Sequence, residues 1–391
     1  MQQLTEASAF AEGAKILHIG PPKTGTSAVQ SGLHNSRPAL ERHSVLYPSD
    51  SRHPRSAFAA VAFDPMPEIC TTADLAVWQQ MAERFRASTH RHTILSSESL
   101  ANASDVTARR IVDELGGELQ VVITLRPLAT LLASRWQQLV QDYFLESYDE
   151  WLHELFDEPE QRGSQRFWNA FRIDGLVRRW GAIVGERNVT LLVPDPDDRG
   201  MLLRSFERFL DLPAGALVPD PADLNGSLPY PEVELLRAFN RRFARERRGR
   251  TYYVRSMRSH GLPLVRASKA ITGHPGPIPT PGWAVERSNA LQRQIAEGIR
   301  ATDARVVGDL DSLVTGPGAA DATPPGSVAI DAAADLAYAA FVAAEEYAPR
   351  AGDLAAGLPA GRARSARALQ DYSGRELLRA LGARLLHRWR L

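Results

Sequence analysis

The chain is poor in cysteine, in uncompensated charge and in long apolar runs, and each shortage excludes a class of protein. Of its 391 residues a single one is cysteine, Cys70. An internal disulfide and a cysteine-ligated metal cluster are therefore excluded. Cys70 lies in a polar-flanked stretch with no neighbouring base and reads as an inert thiol. Lys plus Arg equals Asp plus Glu, at 46 each, so the global field is close to zero. Long-range attraction to nucleic acid does not follow from that balance, although a local basic pocket is still allowed. No stretch approaches the roughly 18 apolar residues of a spanning helix. Met1 to Gly13 lacks the basic start and apolar run of a secretory signal. The expectation is a soluble, cytoplasmic protein with no nucleic-acid partner.

What is present is alternation. Short apolar runs recur at Lys15 to Ile19, Ser44 to Tyr47, Thr93 to Ser97, Gln120 to Leu125 and Asn188 to Val193. Each is strand-sized and mostly β-branched or leucine. Helix-like segments lie between them, at Ser27 to Asn35, Ala73 to Ser88 and Val106 to Gly116. That order predicts an α/β fold, a three-layer sandwich with a central parallel sheet buried on both faces. After Pro194 the pattern turns helical, with Arg199 to Leu212, Pro231 to Arg248 and Trp283 to Val307 as candidates. Gly273 to Gly282 is dense in Gly and Pro and reads as a surface loop or lid. The expected organisation is an α/β domain over residues 1–314, a Gly/Pro-rich linker over 315–327 and an Ala/Arg-rich helical tail, mobile, over 328–391. Asp331 to Tyr347 reads as a helix. Glu376 to Leu391 reads as a basic amphipathic helix, which either packs back on its own domain or contacts a membrane surface or a protein partner.

Chemistry concentrates first at Gly20-Pro21-Pro22-Lys23-Thr24-Gly25-Thr26-Ser27-Ala28. A strand precedes it and a helix follows. Such a turn aims backbone N–H groups and the positive end of a helix dipole at an anion. Gly20 and Gly25 have the separation of a Walker-type loop, G-x-x-x-x-G-K-[ST]. The residue after Gly25 is Thr26, however, and the lysine stands two residues before Gly25. A nucleotide triphosphatase would also place an acidic magnesium ligand at the end of a nearby strand, and the run Gln120 to Leu125 ends in Arg126-Pro127 instead. Magnesium-dependent ATP chemistry is disfavoured on both counts, and no metal site is expected.

A second anion site follows from that arginine. Arg126 would emerge at a strand's carboxyl edge, where open α/β sheets bind ligands. Pro127 suits the opening of a helix, and Ser134 lies about two turns into it. A planar guanidinium and a hydroxyl together suit a phosphate. Alone, Arg126 also reads as an ion-pair partner and Ser134 as a back-bonded helix serine. A strand followed by P-K-T-G-T-S, then a later strand followed by R-P with a serine eight residues after the arginine, resembles the sulfotransferases. The resemblance covers roughly Lys15 to Leu212, with Leu313 as its outer bound. It implies that Pro22, Lys23, Thr24, Gly25, Thr26 and Ser27 hold the 5′-phosphosulfate of 3′-phosphoadenosine-5′-phosphosulfate, and that Arg126 and Ser134 hold its 3′-phosphate. It implies metal-independent transfer of a sulfuryl group, with Lys23 stabilising the departing phosphate. The late R-K-G motif of the eukaryotic cytosolic members is missing, as are the disulfide and membrane anchor of the Golgi members. The match is closest to soluble bacterial proteins of this family, which implies a carbohydrate or glycolipid acceptor.

An acceptor hydroxyl loses a proton during attack, so a general base is expected. Glu98, after the run ending in Ser96-Ser97, is the candidate; a capping or salt-bridging glutamate is the competing reading. Ser97 and Ser99 are candidates to orient it. His18 reads as a satisfied core histidine and His34 as a weaker alternative base. Asn225-Gly226-Ser227-Leu228 resembles a turn found in bacterial members, without an assignable role. Tyr252, Tyr253, Arg255, Arg258 and His260 suit an acidic glycan or a solvated basic surface. The competing functions are an ATP-dependent kinase of similar topology and a catalytically silent nucleotide- or glycan-binding module.

Overall fold

Alternate residues of each strand face opposite sides of one sheet, and this period of two builds the layers. A computed structural model of the chain describes residues 2–4, 6–198, 200–220, 227–246, 250–267, 278–318 and 323–346. The strands are β1 (Gln2–Leu4), β2 (Ala14–His18), β3 (Val45–Leu46), β4 (His92–Ser96), β5 (Gln120–Thr124), β6 (Val189–Leu192) and β7 (Arg305–Val307). They pair in parallel in the order β1-β7-β6-β5-β2-β4-β3. Leu17 pairs with Leu95 and with Val121, and all three enter one core with Leu191 and Val306. Ile16, Ile94, Val122, Leu192 and Val307 enter the other.

Helices cover both faces, as the near-continuous apolar strands require. On one side lie α1 (Thr26–Asn35) and α2 (Arg37–Arg42) with α10 (Met201–Phe209), contributing Val29, Leu33, Leu40, Phe206 and Phe209. The other side is thicker. It holds α3 (Arg55–Ala62), α4 (Thr72–Ala87), α5 (Asp105–Leu115), α6 (Leu128–Gln141), α7 (Tyr148–Asp157), α8 (Arg162–Phe171) and α9 (Ile173–Val184). Several ends are fixed by side chains. Ser104 Oγ accepts from Thr107 N at the start of α5, and Gly116 closes that helix at φ 102°. Thr71 with Asp74 and Ser147 with Glu150 form capping boxes on α4 and α7.

The second half is helical, with segments at Tyr230–Arg245, Leu262–Ala267, Gly282–Arg300 and Ile330–Glu346, and a π-helical stretch at Val254–Gly261. Leu336, Ala339 and Ala343 share a core with Tyr253 and Met257. The apolar pattern carries a helix through to Val307, but the chain ends that helix at Arg300. Thr302 Oγ1 donates to Ile299 O at 2.7 Å, Glu186 Oε2 accepts from Asp303 N at 2.8 Å, and the next residues form β7. A strand of three residues is too short to show a period of its own. Residues 273–277 of the Gly/Pro-dense stretch at Gly273 to Gly282, and the basic segment Glu376 to Leu391, lie outside the described residues. Among the described residues no helix is long and apolar enough to cross a membrane.

Trp136 holds α6 in place. It is fully buried, lies 5.2 Å from the Tyr148 ring and 6.0 Å from the Tyr230 ring, and donates from Nε1 to Glu146 O at 3.2 Å. Truncation removes a large buried aromatic and leaves a cavity. Trp136→Ala should lower the unfolding free energy by about 3–5 kcal/mol, read from equilibrium urea unfolding, a loss typical of a buried Trp.

Candidate active site

β2 is where the path of the chain divides. β4 and β3 lie on one side of it, β5, β6 and β7 on the other. In open α/β sheets the crevice at the carboxyl ends of the strands at such a point binds ligands. His18 is in register with Ser96 on one side and Val122 on the other. Gly20, Glu98 and Arg126, each two residues beyond its strand, therefore leave the sheet from one edge.

A buried hydrogen-bonded chain joins those strand ends. His18 Nδ1 meets Ser96 Oγ at 2.8 Å and His18 Nε2 meets Thr124 Oγ1 at 3.1 Å. Thr124 Oγ1 meets Thr24 Oγ1 at 2.7 Å, and Thr24 Oγ1 donates to Pro21 O at 2.7 Å. One proton order satisfies all four contacts. Thr24 spends its proton on Pro21, so Thr124 donates to Thr24, His18 donates from Nε2 to Thr124, and Ser96 donates to His18 Nδ1. His18 is thus neutral, and burial pushes its pKa down to about 3. It is the satisfied core histidine that its place in an apolar strand suggests. Gly20 is required here by close approach. A Cβ at that position would collide with Thr124 Oγ1 and stand 2.8 Å from His18 Nε2.

Above this chain the loop turns back on itself. Lys23 has φ 72° and Gly25 φ 96°. A left-handed lysine costs about 1–2 kcal/mol, so the neighbouring prolines and the Thr24–Pro21 bond must hold it. The result is a concave run of donors. Thr24 N–H closes a turn on Pro21, while the backbone N–H groups of Lys23, Gly25, Thr26 and Ser27 have no partner among the described residues. Gly25 caps α1 without a side-chain hydrogen bond. Thr26 Oγ1 is buried and also unpartnered. Donors without protein partners at a helix N-terminus are what an oxyanion with several acceptor oxygens completes. The residues present therefore fit a phosphate- or sulfate-bearing group.

The charged side chains converge on that loop. The Lys23 ammonium is half-buried, and its pKa is lowered, first by burial. Glu98 pulls it back up, while Arg266, Arg126 and Arg135 push it further down. Glu98 and Arg126 are thus both close enough to act on the Lys23 ammonium. No salt bridge joins Lys23 to Glu98 among the described residues. Arg126 shares a small recess with Pro21, Thr24, Leu128, Phe171 and Gln292, which puts it beside the loop. Glu98 opens a short 3-10 turn, Glu98–Asn102, whose cap is Ser97 Oγ accepting from Ser99 N at 3.2 Å. Ser97 rather than Glu98 does the capping, which leaves the carboxylate free to face the cleft. Ser134 is half-buried on α6, without a hydrogen bond to Arg126.

Other candidates fall elsewhere. His34 is in the last turn of α1, about 12 Å along the axis from Thr26 at 1.5 Å per residue. Tyr253 is fully buried and 4.9 Å from the Tyr143 ring, so it is core rather than a sugar platform. Arg258 pairs with Asp142 at 2.7 Å. Cys70 is buried, its thiol pushed up by burial and then by Asp74. Asn225, Gly226 and the side chain of Arg255 lie outside the described residues. The sequence alone did not single out Arg135, Arg266, Ser96 or Thr124. A separate hollow between α7, α8 and the helix Gly282–Arg300, lined by Phe156, Trp168, Arg172 and Arg287, contains none of the loop residues.

The neutral His18 has a pH signature. Its folded pKa lies below the unfolded value of 6.5, so the unfolded chain binds the extra proton. The contribution is fully present above pH 6.5 and is lost as pH falls toward about 3. Between pH 6 and 5 the unfolding free energy should drop by up to about 1.4 kcal/mol per pH unit from this group. In His18→Gln that slope should be absent. Urea unfolding of both proteins across this range checks it, and equal slopes would remove the claim that His18 is held neutral.

Comparison with known proteins adds little to this geometry. No family model matches the chain, and no curated protein does either. A crystal structure of a sulfotransferase from Alicyclobacillus acidocaldarius is similar over 60% of this chain and 96% of that one, at 17% sequence identity and a TM-score of 0.39. That likeness is distant and partial, and activity has to be read from the residues of the cleft.

Proposed function

We propose that this protein is a sulfotransferase that moves a sulfuryl group from 3′-phosphoadenosine-5′-phosphosulfate to a hydroxyl or amine of a carbohydrate or glycolipid. The observation that carries the reading is a loop at a helix N-terminus with donors left unpartnered at Lys23, Gly25, Thr26 and Ser27, whose lysine ammonium feels Glu98 and Arg126. The position of the lysine favours this over ATP chemistry. It stands inside the turn at Lys23, and Thr26 occupies the place where a Walker loop has its lysine.

When bound, the donor supplies a sulfuryl group already activated on a phosphate. The N–H groups of Lys23, Gly25, Thr26 and Ser27 and the hydroxyls of Thr26 and Ser27 hold its 5′ end, and Arg126 with Ser134 holds its 3′-phosphate. As the sulfur–oxygen bond to the phosphate breaks, negative charge grows on that oxygen and the Lys23 ammonium neutralises it. Glu98 takes the proton of the acceptor as the new sulfur–oxygen or sulfur–nitrogen bond forms. Burial works against the charged form of Lys23 and the Glu98 carboxylate works for it. The same carboxylate thus keeps the ammonium protonated before the reaction and serves as the base during it.

Removing a preorganised charge at the leaving oxygen costs on the order of 100-fold in rate. Lys23→Ala should lose at least about that factor, and Glu98→Gln about 100-fold to 10,000-fold. The assay is transfer of ³⁵S from labelled donor to fractionated cell-envelope saccharides and glycolipids. Wild-type-like transfer by either variant would contradict the assigned roles. A complete lack of transfer by the wild type, with the nucleotide product still bound, would point to a silent binding module.

A further inference from the structure

The cleft has more positive charge than the donor needs. Lys23 and Arg126 are the cations assigned to the donor's anionic groups. Beyond them, Arg135 on α6 acts on Lys23 and in turn feels Asp142 first, then Glu98, Arg166 and Arg258. Arg266 acts on Lys23 and feels Arg55, Arg258 and Asp142. Arg166 is on α8, which packs against the turn that begins with Glu98.

The partners of these arginines are neutral. Arg135 Nη1 donates to Gln138 Oε1 at 3.0 Å. Arg266 donates to Gln141 Oε1. Arg166 lies 4.2 Å over the centre of the Phe63 ring. Among the described residues no carboxylate forms an ion pair with any of the three. The nearby Asp142 already pairs with Arg258 at 2.7 Å. Elsewhere on the surface arginines do find carboxylates, as in Arg52 with Asp220 and Arg84 with Asp50, at 2.7 and 2.8 Å. The chain as a whole is charge-balanced at 46 against 46, so the excess is local to this cleft. Arg135, Arg166 and Arg266 come from separate elements: Arg135 feels Glu98, the helix of Arg166 packs on the Glu98 turn, and Arg266 acts on Lys23.

We infer that the acceptor carries its own fixed anion, and that Arg135, Arg166 and Arg266 bind that anion while the hydroxyl or amine to be modified is presented to Glu98. The substrate class is an acidic saccharide, bearing a carboxylate, sulfate or phosphate. This rests on the transfer reading above and narrows it. The three guanidiniums share Asp142, which Arg258 already engages, and Arg135 also feels Glu98, so a neutral sugar would leave most of their charge unmatched. An acidic one satisfies them with charge-assisted, planar hydrogen bonds, and the positive field steers it toward the base. The proton still leaves through Glu98, and the anion itself takes no part in bond making.

The test is equilibrium binding, by calorimetry, with the donor side first saturated with 3′,5′-adenosine bisphosphate. Uronate-bearing, sulfate-bearing and phosphate-bearing oligosaccharides are each compared with the carboxyl-reduced or ester-free counterpart. At least one acidic series should bind about tenfold or more tightly than its neutral partner, the weight of one charge-assisted contact, and the series that does so identifies the anion. The advantage should fall as salt rises. In the double variant Arg166→Gln, Arg266→Gln it should vanish, while affinity for 3′,5′-adenosine bisphosphate is unchanged, which also reports that the variant is folded. Equal binding of acidic and neutral saccharides, or a preference retained in the double variant, would overturn this inference and leave the transfer reading intact. Failure of the nucleotide itself to bind would overturn the transfer reading and this inference with it.

Discussion

The contact on which the site depends is the hydrogen-bonded chain from Ser96 through His18 and Thr124 to Thr24. Each member is buried, and each comes from the carboxyl end of a different strand or from the loop. Buried polar atoms that lack partners are costly, whereas a fully satisfied set specifies one arrangement. The chain therefore does two jobs. It locks three neighbouring strand ends together, and through Thr24 and Pro21 it fixes the turn that carries Lys23. Gly20 is the space that lets it close.

From that anchor the rest of the cleft follows. The fixed turn holds Lys23 in a left-handed conformation and leaves the N–H groups of Lys23, Gly25, Thr26 and Ser27 unpartnered among the described residues. The same strand ends launch Glu98 and Arg126 toward the turn. Electrostatics then sets the balance. Burial and three arginines act against the Lys23 charge, and Glu98 alone among the groups acting on it supports that charge. Under the proposed function, a cleft so arranged takes anions on the loop side and again on the acceptor side.

Much of this was legible in the sequence. The central strands β2, β4, β5 and β6 were readable as β-branched runs, because burial on both faces makes them apolar throughout. The loop from Gly20 to Ala28 was readable because its chemistry is contiguous. Glu98 and Arg126 were readable from their place just after strands. β1 and β7 were not, since strands of three residues carry no period. The partners of His18 could not be read either. Ser96 and Thr124 are 78 and 106 residues away from it, and a strand-ending hydroxyl has no mark in sequence that says what it will meet. Arg166 and Arg266 were hidden for the same reason. Their local surroundings are ordinary helix, and only packing brings Arg166 toward the Glu98 turn and Arg266 toward Lys23.

The central claim is that the turn from Gly20 to Ala28 and Arg126 form the two ends of one clamp for a nucleotide with phosphates at both its 3′ and 5′ positions. Calorimetric titration with 3′,5′-adenosine bisphosphate, set beside ATP with magnesium, measures it most directly. The account predicts one-to-one binding of the bisphosphate without added metal, weakened about tenfold or more by Arg126→Ala, and much weaker binding of ATP with magnesium. Tight binding of ATP with magnesium and none of the bisphosphate would contradict it.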